Sequence, residues 1–167
     1  MRFRTPTAAQ QATFTGIFRA NAWENAESVS GPGSTVARGS DFQEELITVL
    51  DSWNVRSLVD APCGDFNWMR HVLAHRDLEY TGVDIVAELI AANSGLYATA
   101  TRRFVCADMT RDDLPNADLI VCRDGLVHLS FADARAAIRN FRHSGSRYVL
   151  ATTFISHPRN RDVPTGG

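Results

Sequence analysis

From residue 57 onward, short apolar runs alternate with longer segments whose apolar residues recur at helical spacing, the rhythm of βαβ units around a parallel sheet. Strands are predicted over residues 57–61, 80–85, 103–108, 117–122 and 147–154. Their cores are nearly continuous apolar residues, as expected where both faces of a sheet are covered. Between them, residues 66–74 carry Trp68, Met69, Val72 and Leu73 at helical spacing, and residues 87–96 carry Leu89, Ile90 and Ala92. After the fourth strand, Ser130 is a candidate N-cap, Phe131, Ala134, Ile138 and Phe141 form an apolar stripe, and Gly145 supplies the stop. Ahead of the first strand, Ser40 and Gln43 have capping-box spacing, with Phe42, Leu46, Val49, Leu50 and Trp53 as the apolar face. The pattern predicts an α/β fold: a doubly wound parallel sheet of about five strands with helices on both faces.

The turn-rich run Ser30-Gly31-Pro32-Gly33-Ser34 separates an N-terminal helical and loop segment, residues 1–40, from a main domain over residues 41–167. Trp23, with Phe14, Phe18 and Arg19 upstream, belongs to a helix that either folds over a cleft as a lid or packs on the sheet edge. The polar tail, residues 157–167, is expected to be loop.

At 167 residues with 44% hydrophobic content, the chain can bury a core without metal or disulfide staples. A formal charge of −2 attracts it neither to a phosphate backbone nor to an anionic membrane, so a nucleic-acid partner is not expected. All 17 basic residues are Arg, which excludes chemistry built on a lysine amine. Cys63, Cys106 and Cys122 lack any close pairing, which argues against a disulfide framework and for a reducing, cytoplasmic setting. The N-terminus has no signal-length apolar run, and no membrane-spanning stretch is expected. His71 and His75 lie four apart on a predicted helix, but no third ligand sits at useful spacing, so no metal site is assigned.

The chemistry concentrates where strands end. Asp60-Ala61-Pro62-Cys63-Gly64-Asp65 lies between the first strand and the next helix, where open parallel sheets bind ligands. The plainer alternative is a tight turn with Asp65 as an N-cap. Asp84 closes the second strand 20 residues after Gly64, the spacing at which an acidic residue accepts hydrogen bonds from ribose hydroxyls. Asp108 and Met109 end the third strand, and Arg123 and Asp124 the fourth, so carboxylates gather at one end of the sheet and suit a cationic ligand. The glycine fingerprint that holds a pyrophosphate is missing, which opposes a reading as an NAD-dependent oxidoreductase.

These strings resemble the class I S-adenosylmethionine-dependent methyltransferases over roughly residues 55–154. Residues 59–65 look like their motif I, residues 82–85 their second acidic motif, residues 106–109 their adenine-side motif, and residues 118–124 the motif after strand four. The strings from Asp60 to Met69 and around Asn160 look like an uncharacterised bacterial subgroup. The resemblance implies a Rossmann-like fold that binds S-adenosylmethionine and transfers its methyl group, with a small-molecule acceptor expected. It places Asp60, Cys63 and Gly64 at the methionine part, Asp84 at the ribose, Asp108 and Met109 at the adenine, and Cys122 or Arg123 at the amino-acid end by backbone contact. Asp124 and His128 are the candidate bases, with a packed or capping histidine as the alternative for His128. Two features depart from the family pattern: Pro62 and Phe66 stand where glycines are usual, and only 13 residues follow Phe154, so the usual C-terminal antiparallel strand pair is expected to be lacking. The rival from another class is a non-catalytic nucleoside-binding module or an inactive fragment.

Overall fold

The computed structural model describes residues 8–74, 76–153 and 159–167. His75 and Phe154 fall outside them, and with them the His71–His75 pair and the end of the expected fifth strand. Helix α1 (Ala8–Arg19) is followed by α2 (Val36–Ser52), β1 (Ser57–Asp60), α3 (Met69–Val72), β2 (Glu79–Asp84), α4 (Ala87–Tyr97), β3 (Arg102–Cys106), β4 (Leu119–Cys122), α5 (Phe131–His143) and β5 (Tyr148–Ala151). The strands form one parallel sheet in the order β3-β2-β1-β4-β5. The chain therefore reverses its winding between β1 and β4, and a ligand crevice is expected outside the carboxyl ends of those strands. No helix of the described residues is long and apolar enough to cross a membrane.

Alternation along the buried strands builds two core layers. Leu58, Tyr80, Leu119 and Val121 meet Leu46 and Leu50 of α2 and Met69 and Val72 of α3. Val59, Val83, Ile120 and Cys122 meet Ala137 and Phe141 of α5 on the other face.

Three local expectations are corrected. Helix α2 begins five residues before the expected box: Thr35 is its N-cap, accepting the Arg38 N–H, while Ser40 Oγ bonds the Ala37 carbonyl and Gln43 donates to the Val36 carbonyl. The helix thus runs without a break across residue 40. Helix α3 is a single turn, because Phe66 has φ 60° and cannot join a right-handed helix. Its backbone takes the form a glycine usually takes, yet its ring is fully buried against Tyr80, Tyr97 and Phe104. The buried face of α5 centres on Ala137 and Phe141, leaving Ile138 53% and Phe131 37% exposed. Its ends are as expected, with Ser130 Oγ accepting the Asp133 N–H and Gly145 at φ 73° after the last turn.

Candidate active site

The carboxyl ends of β1, β2 and β4 open into a cleft whose empty space, its solvent-open mouth included, is about 1000 Å³. Its floor is the turn after β1. Gly64 stands at φ 52°, donates its N–H to Asp84 Oδ2 at 3.0 Å and offers its carbonyl to Asn93 Nδ2 at 2.8 Å. A left-handed residue there turns the backbone toward β2, and glycine adopts that conformation without steric cost. Asp84 Oδ1 accepts the Val86 N–H at 3.0 Å, so both carboxylate oxygens are fixed by backbone while the side chain lines the cleft. Burial pushes its carboxyl above the ordinary range, and the amide N–H groups pull it back.

The loop after β3 is equally fixed. Asp108 Oδ1 accepts both the N–H and the hydroxyl of Thr110, at 2.8 and 2.6 Å, and Asn140 of α5 holds the carbonyls of Met109 and Asp112. Asp108 Oδ2 is buried in the cleft wall without a partner among the described residues. A buried acceptor left unpaired is costly, so this oxygen is suited to a donor brought by a ligand. Met109 lines the wall beside it, with Ile85 and Leu129.

Asp60 and Cys122 do not line the cleft. Asp60 is 1% exposed behind the turn, where it accepts the Tyr80 hydroxyl at 2.9 Å and burial raises its carboxyl to about 7. Cys122 is 1% exposed, and burial pushes its thiol up to about 12. Cys63 does line the cleft, but burial and the carboxylates of Asp84 and Asp60 hold its thiol well above its ordinary value, which removes a thiolate nucleophile. Arg123 lines the cleft with its guanidinium over Trp68 at 4.8 Å and Phe42 at 5.3 Å, and its Nη2 donates to the Gly33 carbonyl. Burial lowers its pKa, against the pull of Asp124 and Asp60. Asp124, at φ 52°, and His128 both face the cleft; the His128 ring lies 5.0 Å from that of Trp23, with its Nδ1 3.2 Å from the Gly167 carbonyl.

The N-terminal segment also lines the cleft. Phe14 and Phe18 of α1 and Trp23 line the cleft, while Gln11 bonds the Ile85 carbonyl and Arg19 pairs with Glu88 of α4. Ser30 Oγ accepts the Asp65 N–H at 2.9 Å, and Asn67 joins Glu27 to the Ser34 carbonyl, stitching the glycine-rich loop to the turn after β1. The expectations from sequence did not include Ser30, Asn67 or Asn93. Asn93 left a readable signal, a polar residue at a helix position flanked by the apolar face of Leu89 and Ile90 and itself 2% exposed.

Comparison with solved structures places the fold. The N-methyltransferase NodS from Bradyrhizobium japonicum WM9, in complex with S-adenosyl-L-homocysteine, is similar with a TM-score of 0.61 and 18% identity over 79% of this chain and 67% of NodS. Magnesium protoporphyrin IX methyltransferase ChlM from Synechocystis PCC 6803, with bound SAM, gives 0.60 and 14% identity over 80% of this chain and 71% of ChlM. The methyltransferase domain of bacterial CtHen1-C gives 0.58 and 17% identity over 65% of this chain, which spans only 62% of that domain. Among curated proteins none matches the sequence. Residues 59–144, just over half of the chain and the part that carries the turn after β1, Asp84, Asp108 and Asp124, match the methyltransferase domain family, and the chain belongs to that family.

Proposed function

We propose that the cleft binds S-adenosylmethionine and that the chain carries out methyl transfer to a small-molecule acceptor. The observation that carries this reading is the Asp84 carboxylate, fixed by the N–H groups of Gly64 and Val86 at the winding reversal of the sheet, inside a cleft of the methyltransferase domain family. Asp84 has lone pairs left for two vicinal hydroxyls. The unpaired Asp108 Oδ2 suits an exocyclic amine, and Ile85, Met109 and Leu129 offer apolar surface to a purine. Cys63 and Gly64 flank the place of the methionine part, with Arg123 at its far end. Asp60 and Cys122 act from behind the turn, as packing.

The cofactor supplies an already activated methyl group, so the protein's task is alignment and exclusion of water. Phe14, Phe18 and Trp23 cover the cleft from the N-terminal side, the lid reading of that segment. Asp124 is the base for an acceptor that must lose a proton, oriented by the Thr152 hydroxyl at 3.1 Å, and His128 stands as the second candidate beside Trp23.

Asp84→Ala tests the reading. It removes the ribose acceptor and strands two amide donors, and is expected to weaken S-adenosylmethionine binding by about 1–3 kcal/mol. Calorimetry of the folded variant against wild type, with NAD as the rival ligand, decides it. Unchanged affinity takes Asp84 out of the site, and binding of NAD in preference to S-adenosylmethionine overturns the cofactor.

A further inference from the structure

We propose that the wall of the cleft formed by Trp23 and Asp124 is a subsite for an organic ammonium group, so that the methyl acceptor is an amine, which binds protonated and gives one proton to Asp124 Oδ2 before its nitrogen lone pair is free for the methyl group; the identification as an acceptor subsite rests on the function proposed above. The argument starts from the run Ser30-Gly31-Pro32-Gly33-Ser34. Each of its glycines is a seat for one of the two side chains. A Cβ on Gly31 would lie 3.2 Å from Trp23 Cβ, and a Cβ on Gly33 would lie 2.8 Å from Asp124 Oδ2. Gly31 stands at φ 91°, where a side chain is strained whatever the space. The loop thus seats residues about a hundred positions apart in sequence, an indole and a carboxylate, at glycines two positions apart in the lining of one cleft.

Both groups are held in costly backbone. Trp23 is presented by a turn whose flanking residues Asn21 and Glu24 stand at φ 43° and 49°, and Asp124 itself stands at φ 52°. Such conformations persist where the surroundings enforce them, and they cluster at sites that grip ligands. Here the enforcement is visible: Asp124 N–H donates to Thr152 Oγ1 at 2.8 Å, and the same hydroxyl donates to Asp124 Oδ1 at 3.1 Å. Oδ2 has no hydrogen-bond partner among the described residues. The His128 ring, 5.0 Å from Trp23, extends the aromatic surface next to it.

Charge sets the sign of the ligand. The described residues lining the cleft include the carboxylates of Asp84, Asp108 and Asp124 against the single guanidinium of Arg123. That guanidinium is committed to the faces of Trp68 and Phe42 and to the Gly33 carbonyl. An anionic acceptor would be repelled by Asp124, with Arg123 as the one guanidinium among the described lining residues. A neutral hydroxyl would donate a hydrogen bond to Oδ2 without offsetting its charge, whereas an ammonium does both. An ammonium satisfies Oδ2, and the aromatic lining of Trp23 favours cations over isosteric neutral groups.

Benzylammonium, benzyl alcohol and benzoate share one shape and differ in charge. Titrated separately into the full chain and followed by protein-observed NMR, benzylammonium is expected to bind about tenfold or more tightly than either of the others. Asp124→Asn is expected to reduce benzylammonium to the level of the alcohol, and Trp23→Leu to weaken it about three- to tenfold. S-adenosylhomocysteine affinity is measured alongside in the wild-type chain, as the readout of the cofactor reading. Equal or tighter binding of the alcohol or of benzoate by the wild-type chain overturns the proposal, as does an ammonium preference that survives Asp124→Asn. Should Asp124→Asn fail to fold, Trp23→Leu decides alone, since unchanged benzylammonium binding there removes the wall from recognition. An intact ammonium preference in a chain that does not bind S-adenosylhomocysteine overturns the cofactor reading and supports the cation site.

Discussion

Gly64→Ala is expected to lower stability by about 2–5 kcal/mol, the sum of about 1–2 for placing a side chain in the left-handed region and about 1–3 for overpacking. The backbone there has φ 52°, and a new Cβ would collide with Ser30 Oγ and lie 2.9 Å from Ser30 Cβ. Ser30 cannot turn aside freely, because its hydroxyl accepts the Asp65 N–H. In a domain whose whole margin is about 5–15 kcal/mol, such a loss moves the urea midpoint visibly. Adding Ser30→Gly separates the two contributions. The double variant regains the packing part and keeps the backbone part, so the two substitutions couple positively in a double-mutant cycle. Simple additivity would mean that the glycine-rich loop does not bear on the turn after β1. Because Gly64 also carries one of the two N–H groups that fix Asp84, ligand affinity is expected to fall with stability rather than remain untouched.

What the sequence made legible follows the range over which each feature is determined. The sheet was readable because strands covered on both faces carry near-continuous apolar runs, and each of the five lies within a few residues of its expected place. Gly64 and Asp84 were readable because a turn glycine and a strand-end acid are local signals at a fixed separation, and the structure joins them by a hydrogen bond. Helix α3 was overestimated because the apolar spacing of Trp68, Met69 and Val72 says nothing of the φ at Phe66, which the surrounding aromatic cluster enforces. The face of α5 was misjudged for a related reason. Ala137 is a weak apolar signal beside Phe131 and Ile138, yet a small residue is what close packing on the sheet admits.

The burial of Asp60 and Cys122 was not legible, since a strand end marks the level of the cleft but not which side of the turn a side chain takes. The acceptor wall was legible only in pieces. Trp23 and the glycine-rich run were each conspicuous, but nothing in the sequence says that Gly31 receives one residue and Gly33 another 91 positions downstream. Long-range seats of this kind are set by tertiary packing, for which one sequence carries no periodic signature.

Asp60 makes stability depend on pH in a direction opposite to that of most carboxylates. Its carboxyl is raised to about 7, chiefly because burial disfavours the charge, with Asp84 adding to the effect and the Tyr80 hydroxyl and Arg123 opposing it. In the unfolded chain the same group titrates near 3.9. Between those values the unfolded state gives up a proton that the folded state keeps, so the contribution is fully present below about pH 4 and declines until pH passes about 7. At about 1.4 kcal/mol for each pH unit across that window, the total loss is about 4 kcal/mol. Asp60→Asn keeps an oxygen for the Tyr80 hydroxyl and cannot ionise, so the variant lacks the decline. From pH 5 to pH 8, its stability relative to wild type is expected to rise by about 2–3 kcal/mol, as urea unfolding at the two values reads directly. Parallel pH profiles for the two proteins would mean that Asp60 is ionised in the folded state throughout, and a charged Asp60 would demand a cationic partner closer than Arg123. The neutral form explains why two acids can stand at the ends of β1 and β2 with so little positive charge between them: below neutrality only Asp84, which the amide groups of Gly64 and Val86 hold, needs to carry a charge.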